Sequence, residues 1–270
     1  MTTNSINAAE NPTLANDLIN KAVSENEPEI AEPTLTPPSD VFVTLPAGYL
    51  TPDGEVIKTA EVRELTGKDE EAIARSSSVS RMLLTILSRG TVAIGKLPAA
   101  DNVLDNLLTG DRDAILLGIY RATFGDTADI SSYCNGCEEF KSVEVNIVND
   151  IKTKLLVDQS DRTFEVQGRK HTYTVILPTG ITARDLATND EKNMSELTSM
   201  LLEQTVTEID GNPVLSKLQV QNIGIVDRRK IGDAIAERNP GPRFEDTSVT
   251  CPDCEGKVVV PISLGTLFQF

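Results

Sequence analysis

Apolar and polar residues alternate along Val41-Phe42-Val43-Thr44-Leu45-Pro46 and again along Glu55-Val56-Ile57-Lys58-Thr59-Ala60-Glu61-Val62. A two-residue period is the mark of a strand with one face buried. Gly48 and Pro52-Asp53-Gly54 supply turn residues between the two runs, so the pair predicts a hairpin. From Thr66 or Asp69 the period lengthens. Ala72, Ile73, Val79, Met82, Leu83 and Ile86 share one face of a single predicted helix, capped at its start by Thr66 or Asp69 and closed by Gly90. A short strand follows over residues 90–95, then a brief helix carrying Leu104, Leu107 and Leu108. The clearest helix begins at Thr109-Gly110-Asp111-Arg112-Asp113 and ends at Phe124-Gly125. Ile115, Ile119 and Ala122 line one side of it, and Asp111 is placed to cap its free N–H groups.

The second half repeats this mixture. Ile151-Lys152-Thr153-Lys154-Leu155-Leu156 reads as a strand or a short helix. Thr163–Val166 and Tyr173–Ile176 flank Gln167-Gly168-Arg169-Lys170 and predict a second hairpin. Leu177-Pro178-Thr179-Gly180 turns into a helical region, and a helix is predicted from Asp190 to about Glu203. A strand and turn cover residues 206–211, and a further helix runs from about Asp227 through Glu237 until Pro240-Gly241-Pro242 stops it. The apolar end, Leu264 to Phe270, suits either core packing or docking on a partner subunit.

Residues 1–40 break this patterning. Pro12, Pro28, Pro33, Pro37 and Pro38 interrupt regular structure, and acids far outnumber the lone base, Lys21. The expected organisation is therefore a disordered acidic extension over 1–40 and an α/β part over 41–148. An inserted α+β subdomain over 149–245 and a terminal segment over 246–270 complete it. The fold class is α+β, built of small mixed sheets and helices.

The chain has four cysteines, arranged as Cys134-Asn135-Gly136-Cys137 and Cys251-Pro252-Asp253-Cys254. Two Cys-x-x-Cys pairs supply the four thiolates of a tetrahedral zinc site, because each short loop turns two sulfurs toward one ion. Gly136 and Gly256 are expected to give the turns their freedom. Residues 138–250 separate the pairs, so the reading is one zinc ribbon split by the inserted subdomain, with Cys134, Cys137, Cys251 and Cys254 as ligands of a structural Zn²⁺. A thioredoxin-like redox pair would need a long helix directly after each motif. Glu138–Val145 and Glu255–Val260 instead read as turn then strand. Two disulfides would suit an exported chain, and the opening residues lack the basic and apolar regions of an export signal.

The net charge of −16 argues against a free-standing nucleic-acid binder, and no dense Lys/Arg run offsets it. Lys141, Lys257, Arg228, Arg229 and Lys230 are the candidates such a ribbon module would use. No apolar run approaches the roughly 20 residues of a membrane span. Enzyme chemistry also lacks its usual marks. His171 is the single histidine, and neither a Gly-x-Ser-x-Gly turn nor a phosphate loop is present. Asp69-Glu70-Glu71 and Asp111 with Asp113 are explained by helix starts.

Several of these features, in this order, resemble the T4-like bacteriophage baseplate or tail-assembly family. They are the Val62-Arg63-Glu64-Leu65-Thr66-Gly67-Lys68-Asp69-Glu70 run, Thr109-Gly110-Asp111-Arg112-Asp113, Cys134-Asn135-Gly136-Cys137, Leu177-Pro178-Thr179-Gly180, and Cys251-Pro252-Asp253-Cys254 followed by a phenylalanine-bearing end. The resemblance spans about residues 41–270. It implies a non-enzymatic tail protein that forms part of the baseplate hub or assembles it around the tail tube and tape measure. That role places it in the host cytoplasm during assembly and in the virion tail baseplate if it is retained. Other tail and baseplate proteins are the implied partners, with no membrane.

Overall fold

The computed structural model describes residues 41–245 and 247–269. The acidic segment 1–40, and with it the expected disordered extension, lies outside the described residues, as does Phe270. The architecture is α+β, with helices interspersed among small antiparallel sheets. The predicted hairpin forms from β1 (Val41–Leu50) and β2 (Val56–Val62). After α1 (Gly67–Ile73) and α2 (Val79–Gly90), β3 (Thr91–Ile94) and β4 (Leu97–Pro98) complete a sheet of order β1-β2-β3-β4.

The single helix expected over this stretch is thus two. Residues 74–78, Ala-Arg-Ser-Ser-Ser, break it, because serine hydroxyls compete for backbone hydrogen bonds and favour caps over helix interiors. Ser78 caps α2, accepting from the Arg81 amide. Thr66 and Asp69 form a reciprocal capping box on α1. Val79, expected on the core face, is exposed.

The chain continues through α3 (Asp101–Asp105) and α4 (Thr109–Phe124). Ile115, Leu116, Leu117, Ile119 and Tyr120 are all buried, so α4 is surrounded by protein on nearly every side. β5 (Thr127–Cys134) and β6 (Glu139–Asn146) form an antiparallel hairpin. β7 (Lys152–Lys154) resolves the choice over residues 151–156 in favour of a strand. β8 (Thr163–Gln167) and β9 (Thr172–Ile176) are the second predicted hairpin. Next come α5 (Gly180–Thr188) and α6 (Met194–Thr205). α6 starts later than expected because Asn193 caps it, accepting from Ser195 and Glu196 while the Glu196 side chain returns to the Asn193 amide. β10 (Val206–Ile209) and β11 (Asn212–Pro213) extend the second sheet to the order β11-β10-β9-β8. α7 (Lys217–Gln221), which the periodicity does not signal, and α8 (Ile225–Arg238) follow. β12 (Gly241–Arg243) pairs with β7, and β13 (Ser248–Thr250) pairs with β14 (Lys257–Val259) before α9 (Leu264–Leu267) ends the described chain.

Two main cores result. The first gathers β1–β3, α2, α4, the roots of β5 and β6, and the chain end. There Phe268 is fully buried, edge-on to Tyr120 at a centroid distance of 5.6 Å, so for residues 264–268 core packing is the outcome. The second core draws mainly on Leu156 to Ile235, joined by Ala47 and Leu108. The cores meet at a bulge in β1, where the register shifts between Thr44 and Tyr49. A bulge frees backbone groups that must then find partners. The Ala47 and Gly48 amides donate to Asp111 of α4, the Ala47 carbonyl accepts from Lys58 and Gln159, and Arg162 donates to the Gly48 carbonyl. Asp111 therefore does not cap its own helix, whose first residue is preceded by Leu108 with no side-chain cap. A close backbone crossing lies nearby. A Cβ on Gly110 would sit 1.5 Å from the Pro240 carbonyl oxygen, so only glycine lets α4 start against the segment that returns to the second cysteine pair.

Candidate metal centre

The two cysteine pairs occupy the tips of two hairpins. β5 and β6 are rooted in the first core by Ala128, Val143 and Val145. The β6 alternation buries those valines while the chain runs out to the tip, where Cys134 pairs with Glu139 across the ladder. β13 and β14 form the second hairpin, and β14 packs against β5. Val260 and Ile262 anchor the chain after β14 in the first core.

The tips share one local conformation. In each, the residue directly after the second cysteine is left-handed: Glu138 at φ 56° and Glu255 at φ 58°. This corrects the expectation that Gly136 and Gly256 supply the unusual backbone, since neither has positive φ. Gly136 is required for a different reason. A Cβ there would stand 2.9 Å from the Cys254 sulfur. In the second tip the Cys251 amide donates to the Gly256 carbonyl, and the Glu255 amide donates to the Cys251 carbonyl.

The four sulfurs lie within 4.8 Å of one another. Cys134 Sγ is 3.5 Å from Cys254 Sγ, and Cys137 Sγ is 3.8 Å from Cys251 Sγ. These separations are far beyond a disulfide bond of about 2.05 Å. They match the sulfur spacing of about 3.8 Å that a tetrahedral ion with Zn–S bonds of roughly 2.3 Å imposes. Both of these contacts run between the tips, and each pair needs the other to complete the donor set. Cys134 and Cys251 are buried, and with Val258 they form a small apolar cluster of their own.

The thiols sit in unequal fields. The amides of Cys254 and Asp253 draw the Cys251 thiol down to about 7. Hydrogen bonding to Cys254, reinforced by burial, pushes the Cys137 thiol up to about 12. Four crowded sulfurs cannot all ionise without a cation among them, and a divalent ion bound by thiolates supplies that charge. Lys141 adds a clasp outside the sulfurs, its ammonium 2.5 Å from both Asp253 of the second tip and Glu139 of β6. Those contacts, Asp253 first, hold its proton more tightly than usual.

The other candidate residues are dispersed. Lys141 is engaged with carboxylates, and Arg228 donates to Ser195 and Ser199 of α6. Arg228, Arg229 and Lys230 belong to α8 of the second core, whereas Lys257 lies on β14 beside the tip. His171 is exposed and pairs with Asp210 at 2.6 Å.

A family model described as "T4 bacteriophage base plate protein" matches residues 50–269. No curated protein and no solved structure matches the chain.

Proposed function

The chain belongs to the T4 bacteriophage base plate protein family, and on that footing we propose that it is a non-enzymatic component or assembly factor of the tail base plate hub, fastened by one structural zinc. Cys134, Cys137, Cys251 and Cys254 are the ligands. The carrying observation is that four sulfurs from two hairpins, separated by more than a hundred residues of chain, fall within 4.8 Å of one another. A donor set made of four cysteines is closed to substrate, so the ion it holds braces structure and does not activate water.

In this reading residues 149–245 are an insertion with its own core, and the metal clasps residues 41–148 to residues 246–270. The second cluster, drawn mainly from Leu156 to Ile235 although Ala47 and Leu108 join it, supports that division. Partners are other proteins of the tail, with the tail tube and tape measure as the finer assignment. The site of action is the host cytoplasm during assembly and the tail base plate afterward. Among the described residues no helix is long and apolar enough to cross a membrane. The alternative of a nucleic-acid ribbon module gains no support, since Lys141 beside the tips is already held by two carboxylates.

Metal analysis of the purified chain tests the zinc: one ion per chain is expected. A metal-free chain with equal protease resistance would refute it. Imaging of particles assembled with and without the protein tests the hub role.

A further inference from the structure

The two faces of the β5–β6 hairpin differ. One face roots it: Ala128, Val143 and Val145 are buried in the first core, and Cys134 is buried at the tip. On the opposite face three rungs follow one another, Asp129 across from Glu144, Ser131 across from Ser142, and Tyr133 across from Phe140. These residues are all exposed. Tyr133 is 47% and Phe140 71% exposed, and their rings meet edge-on at a centroid distance of 5.4 Å. Neither aromatic joins either main core.

The acid rung is a local cost. Like charges directly across a ladder destabilise a hairpin. Asp129 and Glu144 form no ion pair among the described residues. Lys141, the one base of the hairpin, alternates to the other face, where Glu139 and Asp253 hold it. A cation set between the two carboxylates would remove the repulsion. A guanidinium suits the place, because its planar fork can reach both acids and its face can lie on an aromatic ring. The acid and aromatic rungs are about 13 Å apart, the reach of four residues of extended chain. Nucleic acid and anionic lipid bring phosphates that the acid rung repels, and a second copy stacked on this face would bring two more carboxylates to it. The chain's net charge of −16 draws a basic partner from farther away.

We infer that the outer face of the β5–β6 hairpin docks a basic segment of a neighbouring tail protein, with an arginine between Asp129 and Glu144 and an apolar side chain on Tyr133 and Phe140. The inference rests on the base plate reading and names the surface through which the chain docks and the chemistry of what it holds. Cys134 and its rung partner Glu139 belong to the opposite face, so the metal centre takes no part.

The test places a photo-crosslinking residue at Ser142, between the two rungs, in the full-length chain co-expressed with the other base plate proteins. Mass spectrometry of the adduct should map a partner segment carrying an arginine and an apolar residue. Asp129→Asn combined with Glu144→Gln should weaken the complex roughly tenfold or more, and so should Phe140→Ser. The isolated chain with both acids replaced should keep or raise its thermal midpoint, because the repulsion across the ladder is gone. An adduct to a segment without arginine, to a second copy of this chain or to residues 1–40 of the same chain would overturn the inference. So would unchanged affinity in the doubly substituted chain, or a large fall in its midpoint. Normal co-assembly without a Ser142 adduct would sink the docking face alone, whereas failure to co-assemble at all would sink the base plate reading with it.

Discussion

The carboxylate of Asp111 holds the backbone of Ala47: its Oδ1 accepts from the Ala47 amide at 2.7 Å and from the Gly48 amide at 3.2 Å. The contact pins the β1 bulge, where the two cores meet. Asp111→Ala would strand two buried N–H groups and should cost about 2–4 kcal/mol. Asp111→Asn keeps an acceptor and should cost less. Denaturant unfolding of the three chains compares them.

Asp69 is nearly buried beside Arg63 at 2.8 Å and Arg89 at 3.3 Å. Burial pushes its carboxyl up, but hydrogen bonds from Arg63 and Thr66 outweigh that and hold it well below the usual range. An acid depressed in the folded state adds stability above its unfolded pKa of about 4, and that stability is lost as pH falls toward the folded value. Asp69→Asn should therefore lower stability at pH 7 by about 1–2 kcal/mol, the partly exposed arginines limiting the effect. The deficit should shrink below pH 4 in unfolding curves taken across that window.

Asp113 carries the opposite sign. Burial pushes its carboxyl up to about 7, against the partial opposition of Arg112. The folded chain then holds this proton more tightly than the unfolded one, so its contribution declines as pH rises from about 4 through 7. Asp113→Asn should be more favourable to stability at pH 8 than at pH 5, relative to the parent. Midpoints of both chains at the two pH values decide the matter.

Removing a sulfur should open the tips. Cys134→Ala or Cys254→Ala should abolish stoichiometric zinc and admit protease between residues 251 and 256. A strong chelator should do the same to the parent chain. Gly136→Ala should weaken zinc retention with all four cysteines kept, since its Cβ would press on the Cys254 sulfur at 2.9 Å. Metal content and limited proteolysis report both effects.

Glu138 and Glu255 both bear the strain of left-handed backbone. Replacing either by glycine relieves that strain, less the entropy glycine adds to the unfolded chain, and should raise stability by about 0.5–1 kcal/mol with zinc retained. A β-branched residue such as valine at the same positions should destabilise. Thermal unfolding with bound-metal measurement separates gain from loss.

Much of this was open to a reading of the residues alone. Two-residue alternation marked β1, β2, β8 and β9, and the two Cys-x-x-Cys pairs named the sulfurs that the fold brings together. Such features are carried by neighbours in the chain, where strand period and loop length act directly. The serine break between α1 and α2 was obscured because helices on either side bury faces against the same core, so the apolar period runs on through it. The left-handed glutamates were hidden because the sequence shows a side chain that disfavours that conformation, and the shared hairpin geometry imposes it. What only the tertiary structure decided depends on distance along the chain. Asp111 serves amides 63 and 64 residues away. Leucines of α2, α4, α5 and α6 line one slot only when those four helices converge. Partners this remote are chosen by packing and by the demand that buried polar groups be met, and no local pattern records that choice.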